Sequence, residues 1–532
     1  MLTANALFAF NRQDSLRGGN GNGRNWWDVQ YYRLYVSLND QERSIAGSTT
    51  IVFKISGRVS DSMQIDLQEP LQLDSAVALG ESIPFTREGN VFWLKHPFRK
   101  QLQGSQQTLK LYYHGIPKAA RKAPWDGGLV WSKDANGNPW VAVACQGTGA
   151  SCWWPCKDIQ SDEPDQGMKI RLSGPSDLEA IANGRFGSRL RTGNRQQIDW
   201  ETADPINNYD VTFYLGDYVH WNEDYQGEKG PLHLIFCSLR DNEAIARKQF
   251  KEVTRMLSAF EYWFGPYPFY DDGYKIVEAP YLGMEHQSAI AYGNGYQNGY
   301  QGKDRSNTGI GLLFDFIVVH ESGHEWFGNS ITAADIADNW IHEGFTTYAE
   351  ALFVEYWFGP DKARAYTMGQ WANIQNDVPV QGHYGVNDDG SSDKYDKAAA
   401  MIHTIRELMH DDTKFRQMLR TMNQRFYHKQ ITGAQMESFL KEFTGLPLQP
   451  VFDQYLRSTD IPVLEWKRKR KTLSVRFSHC ADGFALPVRI HEGNAAAQSV
   501  TIGSNWQELK LKDAESSISF EHYFLIKENQ VH

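Results

Sequence analysis

Five residues constrain this chain more than any others: His320-Glu321-Ser322-Gly323-His324, an H-E-x-x-H pattern. The preceding run, Gly311 to Val319, is mostly apolar and has no Gly or Pro after Gly311. It predicts one helix running from 311 through the motif. Positions four apart lie on one helix face, so His320 and His324 face the same way and can hold one ion. Leu313, Phe316, Ile317 and Phe327 fall near that face, which predicts a buried stripe. Glu321 lies roughly 100° round from His320, beside an ion rather than on it, where a general base belongs. The plain alternative is two core histidines and a solvated glutamate. Glu343 weighs against it, with eighteen residues between it and His324. A carboxylate there, on a predicted second helix over 338–357, completes a His2Glu set. The fourth tetrahedral position of one zinc ion stays open, the mark of a catalytic site.

A chain of 532 residues exceeds what one hydrophobic core fills, so several domains are expected. The net charge is −10 with both signs interspersed. That argues against nucleic-acid or anionic-membrane partners, which need a basic patch. The one dense basic run, Lys467 to Lys471, reads as a solvated strand or turn. Five cysteines, Cys145, Cys152, Cys156, Cys237 and Cys480, are too few for a disulfide framework, and Cys152 and Cys156 read as buried thiols. No apolar stretch reaches the length of a transmembrane segment. Met1 to Phe10 is mildly apolar but lacks the basic start and cleavage site of a signal peptide.

Along the chain, residues 1–25 start as a loose, glycine-rich arm. Strand alternation follows (Leu34, Val36, Leu38; Ile51, Phe53, Ile55; Met63, Ile65, Leu67) and continues to about 215, predicting an all-β domain over 1–215. From 216 to 457 the pattern turns α-rich with a small sheet. A helix is predicted over 241–264, ending at Gly265-Pro266. A Gly/Asn/Tyr-rich loop spans 292–309, and a polar loop leads into Tyr395 and a helix through Met409. Thr432 with Gln435 has the form of a capping box. Residues 458–532 return to strand patterns and read as a small β-sandwich.

These residues resemble the zinc aminopeptidases of the aminopeptidase N and leukotriene-hydrolase group, gluzincin metallopeptidases, in bacterial form and without a large C-terminal helical domain. The metal signature matches at His320, Glu321, His324 and Glu343, with Trp340 and Gly344-Phe345 in family form. The exopeptidase signature G-x-M-E-N corresponds to Gly283-Met284-Glu285-His286, with histidine in place of asparagine. Tyr395-Asp396-Lys397-Ala398 matches the catalytic-tyrosine context. Gln146 stands nine residues before Pro155, as the family's Gln or Glu does before its own F-P-C-x-D segment. The resemblance implies an N-terminal β saddle, a thermolysin-like catalytic domain and the C-terminal β-sandwich.

It also implies roles. His320, His324 and Glu343 bind zinc, Glu321 is the general base, and Tyr395 donates to the oxyanion. Glu285 and Gln146 hold the α-ammonium of a peptide with a free N-terminus, with Gly283, Met284 and His286 shaping the same substrate contact. Glu350 either orients a zinc-binding histidine or is a solvated helix glutamate; Lys397 reads as structural. The segment from Asp14 to Asp28 resembles exported bacterial members, implying a periplasmic or secreted protein rather than a cytoplasmic one. A thermolysin-like endopeptidase is the alternative that the metal site leaves open and Glu285 opposes. A non-catalytic peptide-binding relative is opposed by the complete catalytic set. An epoxide hydrolase rests on family analogy alone.

Overall fold

The computed structural model describes residues 10–531; the apolar opening at 1–9 lies outside the described residues. Two cores organise the chain. The first belongs to the β domain. Its largest sheet has eight strands, with Trp27–Asn39 near the middle. That strand pairs antiparallel with Ser44–Ile55 and parallel with Met168–Pro175. Its side chains alternate as the pleat requires: Tyr32, Leu34, Val36 and Leu38 are buried, while Arg33 is exposed.

A four-stranded sheet packs beneath, ordered Glu179–Ala182, Phe213–Gly216, Pro139–Ala144, Gly128–Lys133. Val141, Ala142, Val143 and Ala144 are all buried, with no polar alternation. Such a strand is covered on both faces. It ends two residues before Gln146 and delivers that side chain to the junction with the catalytic domain.

The second core belongs to the catalytic domain. Its five-stranded sheet runs Tyr218–Gly227, Gly230–Leu239, Tyr274–Glu278, Ile290–Tyr292, Gly283–Met284. Ile276, Ile290 and Tyr292 join the helical core, whereas Val277 and Ala291 join the β-domain core. The two faces of one sheet thus tie the domains together. Lys275, wholly buried between them, donates to the carbonyls of Ala182, Gly184 and Ser288.

The helices are α1 (Arg12–Gly18), α2 (Glu243–Gln249), α3 (Glu252–Phe264), α4 (Phe316–Gly323), α5 (Trp340–Phe358), α6 (Pro360–Gln370), α7 (Asp396–Met409), α8 (Asp412–Arg425), α9 (Gly433–Thr444) and α10 (Gln449–Leu456). The capping box at Thr432 and Gln435 is formed. A four-stranded and a three-stranded sheet make the C-terminal unit, burying Leu464, Leu473, Val475 and Phe477 with Leu486, Val488 and Ile490. Lys467 to Lys471 covers its first hairpin, where Arg470 takes a positive φ of 53°. All five cysteines are free and four are buried. Among the described residues, no helix is long and apolar enough to cross a membrane.

The structure corrects three sequence readings. The arm is anchored from residue 10 onward rather than loose. Asn11 caps α1, and Arg24, fully buried, pairs with Asp66 at 2.5 Å. The helix predicted over 241–264 is two helices, broken at Phe250 and Lys251, and Ile245 is exposed. The helix predicted from 311 begins only at Phe316, because Asp315 caps it: its carboxylate accepts the backbone N–H groups of Ile317 and Val318. Phe314 is extended and Leu313 is 37% exposed, so Leu313 is no part of a buried stripe.

Removing one partner of a buried ion pair strands the other charge. Arg24→Ala is therefore expected to destabilise the folded protein by about 3–5 kcal/mol. Denaturant unfolding of the β domain measures it; a loss under about 1 kcal/mol is the result expected of a solvent-exposed pair.

Candidate active site

Helix α4 places His320 and His324 four residues apart, with ring centroids 5.0 Å apart. Helix α5 crosses α4 and brings in Glu343. Its Oε2 lies 3.8 Å from His320 Nε2 and 3.3 Å from His324 Nε2. All three residues are buried.

The other ring nitrogens are fixed from behind. His324 Nδ1 lies 2.9 Å from the Phe327 carbonyl, which only accepts, so this nitrogen carries the proton. His320 Nδ1 faces Glu350 Oε1 at 2.7 Å. Both Nε2 lone pairs therefore point at Glu343 Oε2, an atom with no hydrogen-bond partner of its own. Two lone pairs and a buried carboxylate oxygen repel one another unless a proton or a metal ion lies between them, and Glu343 accordingly favours the charged form of both rings. This donor set is the nitrogen/oxygen His2Glu combination of a catalytic zinc centre.

Glu350 is resolved as the orienting residue, not a solvated one. It is 1% exposed and its Oε2 accepts from Tyr366 and Gln370 at 2.7 and 2.8 Å. Those two partners lie four apart on α6, a spacing visible in the sequence but without meaning until α6 packs on α5.

Glu321 projects from α4 toward the strand Gly283–Met284. A Cβ at Gly283 would sit 2.6 Å from Glu321 Oε1, so only glycine leaves room for that carboxylate. Burial pushes the Glu321 carboxyl up to about 7, opposed first by His320. Glu285 lies beyond it, 3% exposed; Glu285, Glu321 and His324 offer atoms within 4.8 Å of one another. Burial raises the Glu285 carboxyl, while His324 lowers it.

Gln146 reaches across from the β domain. Its Nε2 donates to Glu285 Oε1 at 2.5 Å and to Glu343 Oε1 at 3.1 Å. Tyr395, at the start of α7, donates its hydroxyl to the same Glu343 Oε1 at 2.9 Å. Burial and Glu343 hold the Tyr395 phenol protonated. Helix α7 comes this close because residue 344 is glycine: a Cβ there would meet Ala398 Cβ at 2.6 Å.

Gly283 and Met284 form the edge strand of the catalytic sheet, paired on one side with Tyr292 and Ala291. His286 turns away from this cluster. Its ring is fully buried, with Nδ1 2.9 Å from the Tyr214 hydroxyl, and burial keeps it neutral with a pKa of about 3. Lys397, also buried, donates to the Ser458 carbonyl at the junction with the C-terminal strands. Sequence reasoning missed Asp315, which besides capping α4 accepts from Tyr292, Asn294 and Gln249.

Replacing the carboxylate behind a metal-bound histidine typically costs ten- to a hundredfold in metal affinity. Glu350→Ala is expected to weaken zinc retention by roughly that factor, read by competition with a coloured chelator. Equal retention would mean that Glu350 does not set the His320 ring.

Comparison with known proteins agrees with this geometry. The Peptidase family M1 domain matches residues 249–455. Leukotriene A-4 hydrolase of Xenopus laevis is 23% identical over 447 residues, covering 78% of this chain and 68% of that protein. Aminopeptidase B of Mus musculus is 25% identical over 352 residues, and there the chain spans about half of the relative, 50%. The M1 zinc metallopeptidase of Deinococcus radiodurans superposes with a TM-score of 0.68 at 21% identity, covering 83% of this chain and 96% of that one. A mutant of that protein bound to a Tyr-Ser-Ala substrate matches with a TM-score of 0.67. The fold is shared with these neighbours, and the part of the chain that holds the metal ligands, residues 249–455, matches the Peptidase family M1 domain.

Proposed function

We propose that this chain is a monozinc aminopeptidase that releases the first residue of peptides with a free N-terminus. The observation that carries the reading is the Glu285–Gln146 pair, buried beside Glu321 and His324. The Glu285 carboxylate, steadied by the Gln146 amide N–H, forms a receptor for an ammonium ion, with the charge-assisted bonding that a desolvated cleft strengthens. Held so close to the metal ligands, that ammonium leaves length for one residue before the cleaved bond.

When held by His320, His324 and Glu343, zinc supplies Lewis acidity, lowering the pKa of water and polarising a carbonyl. The protein's own groups do the rest. Glu321 accepts the proton of the attacking water and passes it to the departing amine. Tyr395 donates a hydrogen bond to the oxygen on which negative charge develops, the hydroxyl leaving Glu343 for it. The edge strand Gly283–Met284 offers backbone groups along which an extended peptide lies as an added strand.

Glu321→Gln keeps the size of the side chain and removes its basicity. Release of N-terminal residues is expected to fall about 10²–10⁴-fold with zinc content unchanged. Full activity in this variant would rule the mechanism out. The endopeptidase alternative separates on substrate: N-acetylated peptides should resist cleavage, and rapid internal cutting of them would favour it instead. Glu285→Ala should raise KM for free-amine peptides by roughly ten- to a hundredfold, the weight of one charge-assisted bond.

A further inference from the structure

The net charge of −10 describes the whole chain, and one surface runs against it. Lys467 to Lys471 turns the first hairpin of the C-terminal unit, between the strands Val463–Lys469 and Thr472–Ser478. Register puts Lys467 opposite Ser474 and Lys469 opposite Thr472. The strand Gln507–Lys510 pairs on the other side of Thr472–Ser478, with Lys510 opposite Thr472 and Glu508 opposite Ser474. Residues paired in this way share one face of a sheet. Leu473, flanked by Arg468 and Leu509, is fully buried, so its face is the inner one. Lys467, Lys469 and Lys510 therefore stand on the outer face, and all three are exposed. Arg470 and Lys471 at the turn and Lys512 beyond the third strand are exposed as well. The Lys471 carbonyl accepts the Leu511 N–H at 2.8 Å, which holds the turn against the end of that strand.

The acids of the C-terminal unit are engaged elsewhere. Glu465 pairs with Arg476, and Glu521 pairs with Arg489 and His491. Glu492 accepts from the Asp513 N–H and the Ser516 hydroxyl. Among the described residues, none of the exposed cations of the hairpin and the third strand has a salt-bridge partner, and Glu508 is the one acid in their two cross-strand rows. Arg468, on the inner side, donates to the carbonyls of Asp513 and Ser516 and fixes the hairpin to that loop. Trp506, just before the third strand, adds an aromatic ring to the outer face. It is 36% exposed, and Lys467 Nζ and Arg476 Cζ each lie 4.7 Å from its centre. Among the described residues of the C-terminal unit it is the one exposed large apolar side chain.

We propose that this outer face docks the protein on a bilayer surface of anionic phospholipid. Clustered lysines and arginines are drawn to anionic headgroups, and a tryptophan among them sits at headgroup level. The acidic remainder of the chain does not cancel the attraction, because charges more than about 8 Å away are largely screened at physiological ionic strength. A single-stranded nucleic acid is held instead by successive aromatic platforms along a groove, and this sheet face offers one ring. None of these residues belongs to the metal site, so the proposal stands apart from the aminopeptidase reading.

The test is co-sedimentation of the zinc-loaded full chain with vesicles of phosphatidylcholine, alone or with about 30% phosphatidylglycerol, at about 0.1 M salt. Binding is expected on the anionic vesicles and should be at least about tenfold weaker on the neutral ones. Each lysine near an anionic surface contributes about fivefold. Lys467→Gln, Lys469→Gln and Lys510→Gln combined should therefore weaken binding roughly a hundredfold, with zinc content unchanged. Trp506→Ala should weaken it several-fold without altering its dependence on salt. No binding to the anionic vesicles, or equal binding to both kinds, would overturn the proposal on the unmodified protein alone. So would binding that survives the triple replacement. Retention of a single-stranded oligonucleotide in place of the vesicles would assign the face to nucleic acid and overturn it too.

Discussion

The arrangement depends on one buried carboxylate oxygen, Glu343 Oε2, which faces two imidazole nitrogens and has no hydrogen-bond partner. Glu285, Glu321, Glu343 and Glu350 all converge on two imidazoles in a region almost free of water. Burying one isolated carboxylate costs several kcal/mol, so several together would not persist unless paired. Each has a distinct answer. Glu350 is held by Tyr366, Gln370 and His320. Glu343 places one oxygen under Gln146 and Tyr395 and leaves the other for an ion. Burial raises both the Glu285 and the Glu321 carboxyls, and Glu321, pushed up to about 7, can take and give a proton near neutral pH.

Keeping those groups in register requires three separate parts of the chain to meet. The strand Pro139–Ala144, buried from Val141 onward, brings Gln146 from the β domain. The catalytic sheet, with one face in each core, sets Glu285 against α4. Glycines at 283 and 344 leave out Cβ atoms that would sit only 2.6 Å from Glu321 Oε1 and 2.6 Å from Ala398 Cβ. A side chain at either position must move a carboxylate or a whole helix. The shared sheet matters most here, because a hinge between the domains would separate Gln146 from Glu285 and break the hydrogen bond between them.

Much of this was legible in the sequence because it is local. The four-residue spacing of His320 and His324, the predicted second helix carrying Glu343 and the capping box at Thr432 follow from helix geometry alone. The alternating strands of the β domain follow from the pleat. What was not legible depends on partners distant in sequence. Asp315 looks like one polar residue within an apolar run, and only its bonds to Tyr292, Asn294 and Gln249 make it a helix start. Glu350 could be read two ways until α6 supplied Tyr366 and Gln370. Arg24 gave no sign in a glycine-rich arm that it would be buried on Asp66.

His286 joins these two kinds of residue. As sequence it stands beside Glu285, where the related signature has asparagine. In space its ring points into the β domain, while Asn329 holds the Glu285 carbonyl at 2.8 Å and Glu325 accepts the Ser288 N–H at 2.8 Å. The turn after Glu285 is therefore fixed by bonds that do not involve the His286 side chain. Tyr214 donates its hydroxyl to the Ala289 carbonyl, so it receives a proton from His286 Nδ1. A neutral imidazole donates there as an asparagine amide would, and its low pKa keeps it neutral throughout the working range. The His286 ring thus sits on the domain-junction side, against Tyr214 and away from the metal ligands. Glu285 keeps its position because its own backbone is bound, whichever of the two residues follows it.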